Sequence, residues 1–313
     1  MTGRDASTLT ALGYRAAWAT ASRLPADWGE PAISRVSDRI VSRRGPAVVQ
    51  LAKNLRRVLG DDATPAALHA ATRAAMRSYG RYWWETFRLH RLDPHAVADN
   101  ALAGTVGTEH VYAARDHGRG IILALPHSGN WDIAGMSMVS IFGGITTVAE
   151  QLKPESLYRR FVTYRERLGF EVLPLGQDTG ASAGTAAILR QRLEQGRMVC
   201  LLADRDLAGN GVPVTFFGER TTMPAGPALL AARTGADLCP VHLAYTDDGW
   251  IQFVGAPLTL QGTRLADKVR NGTQQLADAF AARIALFPAD WHMLQPLWPA
   301  DRPSGGPGTE SAS

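Results

Sequence analysis

The chain has 313 residues, of which 45% are hydrophobic, with a formal net charge of +4 and two cysteines. This length fits one large α/β domain, or one domain with helical additions. Cys200 and Cys239 each lie in an apolar run, which excludes a disulfide framework or a CxxC metal site. The longest uncharged run, residues 133–149, has 17 residues with three glycines and predicts no membrane-spanning helix. Residues 1–30 lack the apolar core of a signal peptide, so the expected compartment is the cytoplasm.

Positive charge is concentrated at the N-terminal end of the chain. Residues 1–60 contain ten Arg and Lys against four Asp and Glu, a net of +6, so the rest of the chain sums to −2 within the total of +4. Such a basic segment suits nucleic acid or an anionic membrane surface, and charge alone leaves both partner classes open.

Three segments of this basic region have the periodicity of amphipathic helices: residues 8–23, 32–44 and 47–59. In the second, the two sides consist of Ile33, Val36, Ile40 and Val41 against Arg35, Arg39, Arg43 and Arg44. One interpretation is that these helices cover the core and expose arginine to water. The other is an interfacial platform, with the apolar side in lipid and arginine on anionic headgroups.

A longer helix is predicted to begin at Thr64-Pro65 and to end near Leu92. Its aromatic stripe consists of Tyr79, Tyr82, Trp83, Trp84 and Phe87. A stripe at this spacing is most often part of a core, although it can also line the entrance for a lipid chain or lie at headgroup depth.

Short apolar runs and helical periods alternate after residue 102. Strands are predicted over Leu102–Val106, Ile121–Pro126, Thr146–Glu150, Glu171–Leu175, Val199–Asp204, Leu238–Tyr245 and Trp250–Val254, and helices over His110–His117, Trp131–Phe142, Pro154–Leu168, Ala183–Gln195, Ala225–Thr234 and Arg264–Phe287. This predicts an α/β fold with a mostly parallel central sheet covered by helices on both faces, and an antiparallel hairpin formed by its last two strands. We expect an N-terminal amphipathic helical region (1–100), an α/β core (101–299) and a disordered tail (300–313).

An acid or a base stands at the end of three predicted strands: His127, Glu150 and Asp204. Ligands of open α/β sheets bind beyond the carboxyl ends of the strands. The sequence therefore predicts a functional site at this edge of the sheet.

The candidate catalytic pair is His127 and Asp132, in the segment Pro126-His127-Ser128-Gly129-Asn130-Trp131-Asp132. A neutral imidazole can remove the proton of an alcohol that attacks an acyl carbonyl, and a carboxylate can fix its tautomer and stabilise the imidazolium. The alternative is that the histidine caps a strand end and that Asp132 lies in the first turn of a helix, where the helix dipole favours a carboxylate.

Two further motifs suggest other chemistries. Asp204-Arg205-Asp206 is a D-x-D triplet, which in glycosyltransferases binds a divalent metal; alternatively Asp204 reaches His127 as a second carboxylate and Arg205 faces an anionic substrate. Residues 180–184 match the G-x-S-x-G elbow of serine hydrolases, but four residues separate them from the nearest predicted strand, so a flexible loop is expected instead. Ser128 is likewise expected to be a loop hydroxyl.

Two arginines are candidate ligands of a phosphate or a carboxylate. Arg165 lies near the end of a predicted helix, and Arg233 ends an otherwise apolar helical face. A structural salt bridge is the alternative for Arg233.

The segment HSGNWD resembles the H-x4-D block of the glycerolipid acyltransferase superfamily, in the branch of the lipid A biosynthesis acyltransferases. Further blocks agree in order, namely Ala203-Asp204-Arg205-Asp206, Phe216-Phe217-Gly218, Met223-Pro224-Ala225-Gly226-Pro227-Ala228 and Thr234-Gly235-Ala236. The resemblance covers roughly residues 100–295. Glu150 and residues 164–169 are similar to the family of phosphatidylinositol mannoside acyltransferases, and the lack of a predicted spanning helix favours this family over lipid A enzymes.

The resemblance implies transfer of a palmitoyl-type chain from acyl-CoA to the 6-hydroxyl of mannose on phosphatidylinositol mannoside, without an acyl-enzyme. The implied catalytic residues are His127 as base, Asp132 as its orienting acid, and Asp204 in an assisting role. The implied substrate-binding residues are Glu150 for sugar or inositol hydroxyls and Arg165, Asn210 and Arg233 for phosphate. Backbone N–H groups of residues 128–130 are candidate oxyanion donors.

The resemblance implies no cofactor or metal, since acyl-CoA acts as a co-substrate. The implied partners are acyl-CoA, mannosylated phosphatidylinositol and the anionic inner membrane surface, without nucleic acid. The expected location is peripheral, on the cytoplasmic face of the plasma membrane. The alternatives are another glycolipid acceptor within the same branch or a D-x-D glycosyltransferase.

Overall fold

The computed structural model describes residues 23–25, 28–150, 155–175, 179–207, 209–247 and 249–302. Apart from their boundary residues, the predicted helix over 8–23 and the predicted tail over 300–313 lie outside this part of the chain. Among the described residues, no helix combines the length and the apolar character needed to cross a membrane.

In the part of the chain that the structure describes, four helices precede the sheet: α1 (Gly29–Ser42), α2 (Pro46–Leu59), α3 (Pro65–Arg88) and α4 (Pro94–Ala103). The side chain of Thr64 accepts the N–H of Ala67 (3.1 Å) at the start of α3, as expected for an N-cap followed by proline. Helix α2 buries Leu51 and Leu55 completely against α3. These contacts make the first three helices one packed layer.

The exposed face of α1 differs from its predicted arrangement. Val41 is buried, but Val36 and Ile40 are 59% and 40% exposed, beside the exposed arginines of the same helix. The buried face instead includes Ser37, whose hydroxyl donates to the carbonyl of Met76 on α3 (3.0 Å). The outer surface of α1 is therefore mixed apolar and cationic rather than purely cationic.

The remaining elements form the predicted α/β fold. The strands are β1 (Thr105–Val106), β2 (Ile121–Leu125), β3 (Ile145–Glu150), β4 (Phe170–Leu175), β5 (Met198–Leu202), β6 (Val212–Phe216), β7 (Glu219–Met223), β8 (Asp237–Tyr245) and β9 (Trp250–Val254). The helices are α5 (Thr108–Asp116), α6 (Trp131–Phe142), α7 (Glu155–Arg167), α8 (Thr179–Glu194), α9 (Gly226–Thr234) and α10 (Leu265–Leu286). The seven-stranded sheet has the order β1-β9-β8-β2-β5-β3-β4 and is parallel except for the β8–β9 hairpin.

Two parts of the β-structure differ from the sequence prediction. The predicted strand over 102–106 contributes only its last two residues, because α4, which starts at a capping Asp93 and a first-turn proline, continues to Ala103. The hairpin of β6 and β7 lies outside the main sheet and was not predicted. Its turn residues Phe217 and Gly218 both have positive φ (48° and 77°), as type I′ hairpin turns require.

Helices cover both faces of the sheet, as predicted. Successive residues of β2 alternate between the two faces, with Leu123 and Leu125 in one apolar cluster and Ile122 and Ala124 in the other. The first cluster contains side chains of α3 to α7, and the second contains side chains of α8 to α10. Strands β2, β5 and β3 are neighbours at the centre, so their carboxyl ends meet at one edge.

Candidate active site

His127 and Asp204 are brought together by the register of two neighbouring parallel strands. Leu125 of β2 is aligned with Leu202 of β5, so two residues further along each chain His127 faces Asp204. The Asp204 carboxylate accepts the ring Nδ1–H of His127 through Oδ1 (2.6 Å) and its backbone N–H through Oδ2 (2.9 Å). Asp204 is fully buried, and the histidine side chain is 24% exposed. The pair has the geometry of a base with its orienting acid.

The loop after β2 requires glycine at position 129. Its φ is +54°, and a Cβ atom at this position would lie 2.8 Å from the Cβ of Leu243 on β8. A side chain would therefore force the loop away from the sheet. The next residue, Asn130, is the N-cap of α6, and its side-chain oxygen accepts the backbone N–H of Ile133 (3.2 Å).

Asp132 does not form the predicted hydrogen-bonded pair with the histidine. It lies in the first turn of α6, is fully buried, and accepts the Nε–H of Arg165 on α7 (2.7 Å). The described residues contain no hydrogen bond between Asp132 and His127; the carboxylate that bonds the ring belongs to Asp204. Asp132 does not reach the ring because α6 directs this first-turn carboxylate toward the buried guanidinium of Arg165, whose charge it neutralises.

The charges of Asp204 and Arg165 are maintained by their partners in spite of burial. Burial by itself raises the pKa of Asp204, but the nearby charge of His127 and the hydrogen bonds from His127 and Trp291 outweigh it, so the pKa lies below its ordinary value. Burial by itself lowers the pKa of Arg165, and the charge of Asp132 outweighs it and raises the pKa. Asp204 is thus a carboxylate, and Arg165 remains charged.

His127 lines a cavity of about 330 Å³ that extends along the sheet beneath α6 and α7. Near the carboxyl edge the cavity contacts Glu150 and Leu202, and at the opposite end of the strands it contacts Ile145 and Phe170. Its walls are mainly aliphatic and aromatic, and they include Tyr79, Tyr82 and Trp83 of the stripe on α3. Part of that stripe therefore serves both as core and as cavity wall.

The other predicted ligand-binding residues divide into two groups. Glu150, Arg165 and Arg205 line the cavity together with His127. Asn210 is exposed in the loop after β5, and Arg233 is exposed in the last turn of α9, which packs on the opposite face of the sheet; neither lines the cavity. The structure therefore does not bring Asn210 or Arg233 to the site.

The D-x-D triplet is divided between two environments. Whereas Asp204 bonds His127, Asp206 accepts the N–H groups of Gly209 (2.9 Å) and Gly211 (2.8 Å) and the hydroxyl of Thr222 (2.8 Å). Among the described residues, no group of three or more His, Cys, Asp or Glu is placed to hold a metal ion. The second carboxylate of the triplet thus closes a loop.

Two serine predictions have different outcomes. Residues 180–184 lie inside helix α8, which begins at Thr179, so the expected flexible loop is wrong, and Ser182 does not directly follow a strand as a nucleophile elbow requires. Ser128 is fully buried, and its hydroxyl accepts the N–H of Leu243 (3.3 Å), which makes it a structural hydroxyl as expected.

The predicted oxyanion donors are largely occupied. The N–H of Ser128 donates to the carbonyl of Pro126 (2.7 Å), and the N–H of Gly129 donates to the carbonyl of Asp290 (2.9 Å). These two groups cannot also stabilise an oxyanion without breaking their present hydrogen bonds.

Sequence reasoning missed the segment Asp290-Trp291-His292, which contacts both His127 and Asp204. The indole Nε1–H of Trp291 donates to Asp204 Oδ2 (2.9 Å), and the backbone N–H of His292 donates to the carbonyl of His127 (2.7 Å). The segment follows α10 and has no helical or strand periodicity. Its only sequence signal is a histidine beside a tryptophan in an apolar, proline-flanked stretch.

The buried histidines predict loss of stability in mild acid. Burial, reinforced by Arg283, lowers the pKa of His242 to about 3, against an unfolded value of 6.5. As the pH falls through 6.5 the unfolded chain binds a proton that the folded chain does not, so stability decreases. When the pH is lowered from 7.5 to 5.5, the free energy of unfolding measured in urea should fall by about 1.4 kcal/mol more for the wild type than for His242→Leu. Equal pH dependence of both proteins would contradict this assignment.

A histidine paired with a buried acid at the carboxyl edge of a parallel sheet, beside an apolar cavity and within an H-x4-D segment, defines an acyltransferase site. The chain matches the model of the bacterial lipid A biosynthesis acyltransferases over residues 6–300 and belongs to this family. It is 48% identical over 294 residues to the phosphatidylinositol mannoside acyltransferase of Mycolicibacterium smegmatis (strain ATCC 700084 / mc(2)155), which is 94% of this chain and 92% of the relative. It is also 48% identical over 298 residues to the phosphatidylinositol mannoside acyltransferase of Mycobacterium tuberculosis (strain ATCC 25618 / H37Rv), covering 94% and 90% of the two chains. These matches confirm the family predicted from the sequence blocks.

Proposed function

We propose that this acyltransferase moves a palmitoyl-type chain from acyl-CoA to the 6-hydroxyl of a mannose on phosphatidylinositol mannoside, with His127 as general base. The observation that carries the proposal is the His127–Asp204 pair at the edge of an apolar cavity. Nδ1 of the His127 ring is hydrogen-bonded to Asp204, and no described residue is hydrogen-bonded to Nε2. In the proposed site, Nε2 is therefore the atom that faces the substrate.

The reaction follows from this tautomer. Nε2 of His127 takes the proton of the mannose hydroxyl while the hydroxyl oxygen attacks the thioester carbonyl. Asp204 accepts the Nδ1–H and stabilises the imidazolium that forms. When the C–S bond breaks, the imidazolium returns its proton to the departing CoA sulfur. The C–O bond of the product ester forms directly, so no acyl-enzyme is required.

The cavity suits a long acyl chain. Strand β3 contributes lining residues at both ends, Ile145 and Glu150, which are five residues apart. At ~3.3 Å per residue this is a depth of about 17 Å from the site to the far wall. Burial of the chain against aliphatic and aromatic side chains supplies binding energy in proportion to its length. This supports a fatty acyl donor rather than a short acyl group.

The polar groups at the same edge suit the acceptor. Glu150 is exposed at the end of β3 and can accept hydrogen bonds from sugar or inositol hydroxyls, and the half-buried Arg205 can bind a phosphate. Arg165 is held by Asp132, so in the proposed site the pair acts as a unit that orients the acceptor. The names of the two relatives support phosphatidylinositol mannoside as this acceptor.

The decisive assay is the release of free CoA thiol from palmitoyl-CoA, with and without a mannosylated phosphatidylinositol. We expect rapid release only with the acceptor, together with an acylated mannoside that carries its ester on the 6-hydroxyl. EDTA should leave the rate unchanged. No acceptor-dependent release would refute the proposal, and inhibition by EDTA would favour the D-x-D glycosyltransferase alternative.

We further propose that α1 attaches the protein to the anionic inner face of the plasma membrane. Its outer surface combines exposed Val36 and Ile40 with the arginines at 35, 39 and 43, and Trp28 at its start is 63% exposed. Apolar side chains beside arginine are the composition of an interfacial helix.

Replacing Arg35, Arg39 and Arg43 by glutamine is expected to weaken binding to vesicles with anionic lipid by about 10²-fold, since each basic residue contributes about 1 kcal/mol. Co-sedimentation with such vesicles measures this. A matched variant replaces the exposed arginines on other helices at positions 115, 190 and 270, which removes the same charge. Equal weakening in both variants would attribute binding to net charge and contradict a role for α1.

A further inference from the structure

The segment Asp290-Trp291-His292 holds the backbone of the catalytic loop. The carbonyl of Asp290 accepts the N–H of Gly129 (2.9 Å), and the N–H of His292 donates to the carbonyl of His127 (2.7 Å). Between them, Trp291 forms an antiparallel bridge with Ser128. The position of the base is therefore set by this segment as well as by β2.

The side chains of Asp290 and His292 both contact the hydroxyl of one residue in the N-terminal helical layer. Ser78, on α3, lies 2.6 Å from Oδ1 of Asp290 and 2.8 Å from Nε2 of His292. Asp290 and His292 are 8% and 3% exposed, so neither exchanges this contact freely for water. Because the segment is not paired along its length with a strand, these side-chain contacts fix its position.

The hydroxyl of Ser78 is a donor to Asp290 and an acceptor from His292, as the other hydrogen bonds of these groups indicate. Oδ2 of Asp290 accepts the N–H of Tyr245 (3.0 Å), and Oδ1 accepts the single hydroxyl proton of Ser78. Burial raises the pKa of Asp290, and these two hydrogen bonds oppose that rise by stabilising the carboxylate. The oxygen of Ser78 then bonds His292 only as acceptor of an Nε2–H. Burial lowers the pKa of His292 to about 3, so the ring is neutral with its proton on Nε2.

We propose that Ser78 is a positioning residue for the catalytic base, which it holds through Asp290 and His292. This rests on the proposed function of His127. The hydroxyl links helix α3, and with it the layer of α1 to α3, to the loop that carries the base. Without it, Oδ1 of Asp290 and Nε2 of His292 lose their shared partner, the ring is free to change tautomer, and the segment loses its anchor on α3.

The kinetic test compares Ser78→Ala with Thr72→Val, a matched change on the same helix whose hydroxyl donates only to the carbonyl of Leu68 (2.8 Å). We expect Ser78→Ala to lower kcat by about 10- to 100-fold, because small displacements of a catalytic group are costly. KM for palmitoyl-CoA should stay within twofold, since Ser78 itself does not line the cavity. The Thr72→Val variant should keep the wild-type kcat.

Nitrogen-15 NMR of the histidine rings gives a readout that does not require turnover. In the wild type we expect His292 to show a protonated Nε2 and a bare Nδ1, and Ser78→Ala should shift the ring nitrogens of both His292 and His127. Thr72→Val should shift neither. If the wild type transfers no palmitoyl group, the proposed function fails and these spectra alone decide the positioning of His127. An unchanged His127 spectrum, or equal loss of kcat in both variants, would overturn the proposal.

Discussion

Replacing His127 by alanine is expected to lower kcat for palmitoyl transfer by about 10²–10⁴-fold, the contribution of a general base. The ring is the group that takes the proton of the attacking hydroxyl, and the described residues at the edge offer no second imidazole in contact with Asp204. KM for palmitoyl-CoA should change little, because the acyl chain binds in the apolar cavity. Initial rates of CoA release with saturating acceptor measure the effect.

The matched control is His117→Ala, which replaces an exposed histidine directly after α5 whose ring bonds the carbonyl of Ala113 in the last turn of that helix. It should retain wild-type kcat. Far-UV circular dichroism and vesicle binding should be unchanged in both variants. Substantial palmitoyl transfer by a folded His127→Ala protein would exclude the histidine as base.

The second large effect is expected for Asp204→Asn, with a fall in kcat of roughly 10³–10⁴-fold. All three contacts of Asp204 are donors: the ring and backbone N–H of His127 and the indole N–H of Trp291. An asparagine has only one side-chain oxygen. If that oxygen accepts the backbone N–H of His127 and the indole N–H of Trp291, as Oδ2 of Asp204 does, the amide N–H₂ faces Nδ1 of the ring. The ring then carries its proton on Nε2 and cannot accept one from the substrate.

Asp132→Asn provides the comparison that separates the two acids. Its amide oxygen can still accept the Nε–H of Arg165, so the ring of His127 keeps its tautomer. We expect a smaller fall in kcat, with the larger change in KM for the acceptor. Both constants should be measured for both variants at the same pH. A fall in kcat for Asp132→Asn that equals or exceeds that of Asp204→Asn would restore Asp132 as the orienting acid.

Local sequence patterns were sufficient for most of the fold and for the location of the site. An aliphatic run ending at His127 predicts a buried strand, and the periods around it predict helices on both faces. Because parallel strands present their carboxyl ends at one edge, the convergence of His127, Glu150 and Asp204 followed from topology alone. The hairpin of β6 and β7 was missed, since its exposed positions carry Thr, Arg and Glu and its turn begins with Phe217 rather than with asparagine or glycine.

Only the tertiary structure decided which acid is hydrogen-bonded to His127. Asp132 is five residues from His127 and looked like its partner, whereas Asp204 is 77 residues away and reaches it through the register of β2 and β5. Trp291 and His292 approach from an irregular segment after α10, which no periodicity marks. Sequence by itself determined the family, through its ordered motif blocks. It also determined the sheet and the edge that bears the candidate site, because these depend on local hydrophobic pattern. The hydrogen bonds within the site depend on long-range pairing, and only the folded chain defines that.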